Sequence, residues 1–309
     1  MSGDGPVNLA ASVHARLKNV GRDTKRDFNV LLIRYALERF LYRISRSDHR
    51  DSFVLKGALL FVAWENAVER PTRDLDLLTF ADPDIAGVEQ VFREICGVDV
   101  KPDGLLFDPS TVSGSVIREG AIHDGVRMTF TARLGSARNQ LQVDVGFGDA
   151  VVPPPSRLDF PVLLDQDPPR ILAYPPEAVV AEKFHAMITL GMANSRLKDY
   201  YDIWRMLETT QFDMSRIVAA LTATFNKRET KMPIDEPEGL SREFARLRAE
   251  AWERLPKRFE LRDDLPPLGE VIQRIHVFLM PVVEAITAGG NVNKRWAPEK
   301  GWQLVGKGG

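Results

Sequence analysis

Apolar residues recur at intervals of three and four through Val30, Leu31, Ile33, Leu37, Phe40, Leu41 and Ile44, which predicts a helical stretch over residues 8–50. The short run Phe53-Val54-Leu55 reads as a strand that ends at Lys56-Gly57-Ala58, and residues 58–68 then read as helix. Pro71 and Thr72 break that pattern, and residues 75–80 alternate into a strand. Another helix is predicted from Pro83-Asp84 to about Cys96. Residues 100–125, interrupted by glycine and proline, are expected to be loop. Two alternating runs, 126–134 and 140–147, are joined by Gly135-Ser136-Ala137-Arg138 and predict a β-hairpin. Eight prolines between 153 and 176 mark a connector, after which the pattern is helical almost to the end, with a loop near 230–240. A mixed α/β part followed by a helical part predicts an α+β fold in two lobes, 1–165 and 166–309, with no internal repeat.

Composition adds exclusions. The 309 residues are 44% hydrophobic and 27% charged, an ordinary globular balance, with net charge −2. The single cysteine, Cys96, excludes an intramolecular disulfide and a cysteine-built zinc site. No apolar run approaches a membrane span and the first twelve residues lack a signal-peptide core, which points to a cytoplasmic protein and no membrane partner. Charge is uneven: residues 14–50 hold ten basic against four acidic residues, Arg39, Arg43 and Arg46 among them. Such a stretch is either a solvated helix face or a phosphate-facing patch. The tail from Asn291 adds four basic residues against Glu299, with Trp296 and Trp302 interleaved, and exposed aromatics beside cations suit unpaired bases.

The segment Thr72-Arg73-Asp74-Leu75-Asp76-Leu77 carries the most chemistry. Period-two alternation puts Asp74 and Asp76 on one face of a strand and the leucines on the other. Two carboxylates so spaced can converge on one divalent ion, although Asp-x-Asp is also common on solvated strands. Lys56-Gly57-Ala58 lies upstream at a strand-to-helix turn, where backbone N–H groups suit phosphate. Asp144 shares a face with Gln142 inside an otherwise apolar strand and is expected to have a partner, a metal being one candidate. Asp149 reads as a turn residue. In the helix that opens at Pro175-Pro176, Lys183 falls inside the apolar stripe of Val179, Val180, Met187 and Leu190. It either snorkels to water or meets an anion. Glu182 sits at the stripe's edge and His185 is expected to be solvated. Arg196 and Asp199 share the buried side of the next helix at i,i+3, with Asp202 more lateral and Lys198 toward solvent.

Lys56-Gly57, Thr72-x-Asp74-x-Asp76, Asp144, Glu182-Lys183 and Arg196-x-Lys198-Asp199-x-x-Asp202 follow the order and spacing of the AbiEii/AbiGii-type nucleotidyltransferase toxins, which include the MenT toxins. The chain resembles that family over residues 50–210. It departs at Gly57-Ala58, where the family turn usually reads Gly-Gly, and at Thr72, where a serine is common; Ala58 must then avoid positive φ. The resemblance implies a nucleotidyltransferase-like sheet lobe with a helical lobe completing the cleft. Asp74 and Asp76 would hold Mg²⁺, or Mn²⁺ in its place, with Asp144 as third ligand or base. Lys56, Gly57, Thr72, Arg73, Lys183 and Arg196 would bind the NTP, and Asp199 would complete the catalytic set. The implied reaction moves a nucleotidyl group from an NTP, releasing pyrophosphate, to an acceptor such as the 3′ end of tRNA. That would block translation, as part of a toxin–antitoxin or phage-defence system with a cognate antitoxin protein. A protein-modifying nucleotidyltransferase and an inactive nucleotide- or RNA-binding module are the competing readings.

Overall fold

The computed structural model describes residues 6–65, 72–82, 84–119, 123–259, 261 and 265–305. It divides into two compact units, Met1–Asp149 with Ser156–Ala173, and Ala150–Pro155 with Tyr174–Gly309.

The first unit opens with helices α1 (Pro6–Thr24) and α2 (Phe28–Arg46). Where one helical stretch was expected there is a break: Lys25 has φ +55, and Asp27 caps α2 by accepting from the Asn29 and Val30 N–H groups. Strand β1 (Val54–Lys56), helix α3 (Leu59–Glu65), strand β2 (Asp74–Thr79) and helix α4 (Ile85–Cys96) follow. The predicted helix end at residues 66–68, and the breakers Pro71 and Pro83, lie outside the described residues. Strands β3 (Leu105–Glu119), β4 (His123–Leu134) and β5 (Ala137–Phe147) form a meander, and β6 (Ser156–Asp159) pairs with β7 (Arg170–Ala173). Among the described residues the sheet order is β3-β4-β5-β2-β1-β7-β6. The pairs β2/β5 and β1/β7 are parallel and the others antiparallel.

Three expectations are corrected here. Residues 105–119 are not loop but edge strand β3, whose register shifts between Asp108 and Ser113. Pro109 is tolerated because an edge strand leaves N–H positions outside the ladder, and Gly114 is required by close packing, since a Cβ there would lie 2.7 Å from Ile85 Cγ2. The proline-rich connector carries β6 and β7. The hairpin turn is the two residues Gly135-Ser136, with Leu134 already opposite Ala137.

Three of the ten basic residues of 14–50 are internal, while Lys18, Arg22, Lys25, Arg46 and Arg50 stay exposed. Arg34, Arg39 and Arg43 are buried, at 4%, 2% and 6% exposure. Asp103 accepts from Arg39 Nε at 3.2 Å and from Arg43 Nη1 at 2.7 Å, and Arg39 lies over the Tyr42 ring. These arginines tie α2 to the approach to β3, so they form neither a solvated face nor a phosphate patch. The partner carboxylate lies some sixty residues away in sequence, where no local pattern could show it. On the same helix face Phe40 packs against Phe92, Phe107 and Phe130, joining α2 and α4 to the sheet.

Glu38 shares that interior and accepts from the Leu163 N–H through Oε2. Burial raises its carboxyl to about 7, against the opposing pull of Arg34. The folded state therefore keeps a proton that the unfolded chain releases near pH 4.5, so stability falls as pH rises from about 4.5 to about 7. The shift corresponds to about 3 kcal/mol. Urea unfolding across pH 5–8 is expected to show this decline, and Glu38→Gln, which keeps an acceptor for Leu163, is expected to flatten it.

The second unit contains α5 (Pro176–Leu190), α6 (Leu197–Thr209), β8 (Phe212–Asp213), α7 (Met214–Lys227), α8 (Arg242–Glu253), α9 (Leu255–Phe259) and α10 (Leu268–Ala288). Strands β9 (Lys294–Ala297) and β10 (Gly301–Leu304) close it as the sheet β10-β9-β8. The tail tryptophans are structural: Trp296 is fully buried with its Nε1 donating to Leu207 O, and Trp302 stacks on Phe278 at 5.1 Å. They are not exposed base platforms. By length and composition α10 could cross a membrane, contrary to the expectation that no run would qualify. Within its unit, however, it buries Val271, Ile275, Phe278, Leu279 and Val282 along one face.

Candidate active site

Strand β2 begins with a local clamp. Thr72 Oγ1 donates to Asp74 O at 3.0 Å and accepts from Asp74 N at 3.3 Å, fixing the turn that enters the strand. Leu75 and Leu77 are fully buried on one face, while Asp74 and Asp76 are partly exposed on the other. Arg73 is exposed at the strand's start.

The register across the sheet aligns these carboxylates with others. Asp76 lies opposite Lys56 on β1 and opposite Asp144 on β5, and Asp144 lies opposite Arg127 on β4. Four neighbouring strands thus contribute one rung reading Lys56, Asp76, Asp144, Arg127, with Asp74 and Gln142 forming the rung beside it. Arg127 grips Asp144 in a fork, Nε to Oδ1 at 2.9 Å and Nη2 to Oδ2 at 2.8 Å. Lys56 Nζ donates to Asp149 Oδ2 at 3.1 Å. Asp149 is therefore more than a turn residue. Neither it nor Arg127 was singled out for the site in the sequence. For Arg127 the signal was present, since period-two alternation along 126–134 assigns it to the polar face.

Gly57 explains the tight turn after β1. Its φ is +72, and a Cβ would sit 1.9 Å from Asp76 Oδ2, so the backbone packs directly against that carboxylate. The positive φ falls on Gly57, and Ala58 avoids it, as its side chain requires. Gly57→Ala is expected to cost about 2 kcal/mol, from backbone strain plus overpacking, and to displace Asp76. Urea unfolding and turnover should both report the loss.

In the second unit Lys183 is 15% exposed and anchored by two buried carboxylates. Its Nζ donates to Asp199 Oδ1 at 2.6 Å and to Asp202 Oδ2 at 2.8 Å. Arg196 Nε donates to the other Asp199 oxygen at 2.9 Å. Burial alone would push the Lys183 ammonium down, but Asp199 and Asp202 outweigh it and hold it above the ordinary lysine value. Burial likewise opposes ionisation of Asp199, and Lys183 with Arg196 overcomes it, holding that carboxyl below its usual range. Asp202, expected to be lateral, is a full partner because α6 places it one turn from Asp199. Among the described residues the third Lys183 N–H has no partner.

Glu182 accepts from the Tyr174 hydroxyl at 3.0 Å. His185, expected to be solvated, is buried and bridges Thr230 and Arg228. An Arg can only donate, so Nδ1 accepts and the neutral Nε2–H form donates to Thr230. The expectation fails because α5 is buried on nearly every side and has no solvated face at that position.

A partly exposed carboxylate set on a sheet face, flanked by cations and a glycine turn, defines a site for handling phosphate oxygens. The nucleotidyl transferase AbiEii toxin family, of type IV toxin–antitoxin systems, matches residues 39–274, and the chain belongs to it. It is a nucleotidyltransferase toxin, and a type IV system implies an NTP substrate and an antitoxin partner. No curated protein matches significantly. Among solved structures, JHP933 from Helicobacter pylori aligns at TM-score 0.46 and 11% identity, covering 85% of this chain and 95% of that one. A protein titled "putative nucleotidyltransferase from H. pylori" aligns at 0.45 and 10%, covering 86% and 99%.

Among the described residues no group of three acidic, histidine or cysteine side chains is gathered closely enough to hold a metal by protein ligands alone. Mg²⁺ is commonly held by one or two carboxylates plus substrate phosphates and water, and the hard oxygens of Asp74 and Asp76, sharing one face, fit that role.

Proposed function

We propose that this chain transfers a nucleotidyl group from an NTP to the 3′ end of tRNA in the cytoplasm and so blocks translation. The observation that carries this reading is the rung of Lys56, Asp76, Asp144 and Arg127 beside Asp74. Asp74 and Asp76 would hold Mg²⁺, or Mn²⁺ in its place, together with substrate phosphates, and Asp144 beside them would serve as a further ligand or as base. Once bound, such an ion would supply Lewis-acid stabilisation of charge on the transferring phosphoryl group. Lys56 and Arg73 neutralise phosphate oxygens, and Gly57 lets the chain approach them without a side chain. Thr72 fixes the start of β2 and offers its oxygen beside Asp74. Lys183 gives its remaining N–H to phosphate, Arg196 adds a second cation, and Asp199 holds both in place. Binding phosphate in this way aligns the α-phosphorus for attack and leaves pyrophosphate as the departing group.

The 3′ end of tRNA is the acceptor that the sequence resemblance implies. A hydroxyl on a partner protein is the competing acceptor, and it gains weight because Arg39 and Arg43 are internal rather than available to RNA. Labelled NTP, offered with total RNA and total protein as rival acceptors, tests this. Label in tRNA that is lost after trimming the 3′ end supports the reading, and label in protein alone replaces it.

A further inference from the structure

We infer that Arg127 is a positioning residue that, with Gln142, orients Asp144 so that a single Oδ2 lone pair is left for a divalent cation. The inference rests on the functional reading above and assigns a role to residues outside its catalytic set.

A carboxylate offers about two acceptor sites on each oxygen. On Asp144, Oδ1 accepts from Arg127 Nε at 2.9 Å and from Gln142 Nε2 at a longer 3.4 Å. Oδ2 accepts from Arg127 Nη2 at 2.8 Å. Among the described residues that accounts for both sites of Oδ1 and one of Oδ2. The guanidinium fork also fixes the plane of the carboxylate, which a lysine's point charge would not do. Both positioning residues are set by register: Arg127 lies directly across from Asp144, and Gln142 precedes it by two on the same strand face.

The arrangement has the form of a support for a ligand rather than a device for stability. The Arg127 side chain is 41% exposed and that of Asp144 is 22%, and ion pairs so exposed contribute little to folding. Its electrostatic effect is local. Without Arg127 and Lys56, the sheet face would bring Asp74, Asp76 and Asp144 together as three negative charges. Arg127 balances Asp144 before any cation arrives, while Lys56 is paired with Asp149. Partners of ligating carboxylates typically change metal affinity by roughly 10–100-fold when removed.

The test is Mn²⁺ binding to the full chain, followed by the electron paramagnetic resonance of free Mn²⁺, in wild type, Arg127→Met, Arg127→Lys and Gln142→Leu. Thermal unfolding checks the fold, and steady-state kinetics separate kcat from KM for NTP. Arg127→Met is expected to unfold close to the wild-type temperature and to bind Mn²⁺ roughly 10–100-fold more weakly. Its kcat is expected to fall by a similar factor while KM for NTP moves less than about threefold, because the residue acts through Asp144 and not on the nucleotide. Arg127→Lys recovers part of the loss, and Gln142→Leu shows a smaller one. Unchanged Mn²⁺ affinity and kcat in Arg127→Met would overturn the inference. So would tighter Mn²⁺ binding, which would make Arg127 a competitor for Asp144. A wild-type protein that binds Mn²⁺ but transfers nothing overturns the functional reading and leaves the Mn²⁺ comparison to decide Arg127. A wild-type protein that binds no Mn²⁺ overturns both.

Discussion

Asp76→Asn is expected to reduce nucleotidyl transfer by roughly a thousandfold, the scale of losing a group that organises transition-state charge. Asp76 occupies the centre of the charged rung, between Lys56 and Asp144, with the Gly57 backbone against its carboxylate. The amide has nearly the same shape, so packing beside Gly57 is retained and only charge and one acceptor are lost. Because the side chain is on the polar face and not among Leu75 and Leu77, the fold should survive. Turnover with saturating NTP, alongside urea unfolding, separates the two effects. Wild-type turnover in Asp76→Asn would remove the carboxylate face from the chemistry.

Lys183→Met is expected to be costly twice over. Asp199 and Asp202 are 1% and 3% exposed, and Lys183 is the cation they share. Removing it leaves Asp199 with Arg196 and deprives Asp202 of its Lys183 contact, which should destabilise the fold by about 3–5 kcal/mol. The same ion pairs set a pH window. Asp199 is held below the ordinary carboxylate range, so its contribution is full above that range and is lost as pH falls from it through the lowered folded-state value. Lys183 is held above the ordinary lysine value, so its contribution fades only at more alkaline pH. Combining Lys183→Met with Asp199→Asn and Asp202→Asn removes the buried charges together and should recover much of the stability without recovering transfer. Recovered transfer in that triple variant would make Lys183 purely structural.

The parts of the site that follow local periodicity were legible in the sequence. Alternation along 74–77 placed both aspartates on one face, and the stripe position of Lys183 required a choice between water and an anion. The pairing that gives those residues their meaning was not legible. Asp76 meets Asp144 through parallel β2/β5 register across some seventy residues, and no turn fixes that register. Arg127 looked like any polar residue of a hairpin until β4 was aligned with β5. The basic stretch of α2 misled for the opposite reason: a count of charges cannot see Asp103, which turns Arg39 and Arg43 into core residues. Strand β3 was hidden because glycine and proline mark turns in most settings but are tolerated at a bulged sheet edge.

The most direct measurement compares NTP labelled at the α-phosphate with NTP labelled at the γ-phosphate, using each of the four bases, with wild-type protein, Mg²⁺ and total RNA. Nucleotidyl transfer predicts that α-label enters RNA, that γ-label is released as pyrophosphate, that chelation of the metal abolishes both, and that Asp76→Asn lowers both by roughly a thousandfold. Incorporation of γ-label, or α-label transfer at the wild-type rate in Asp76→Asn, would contradict it.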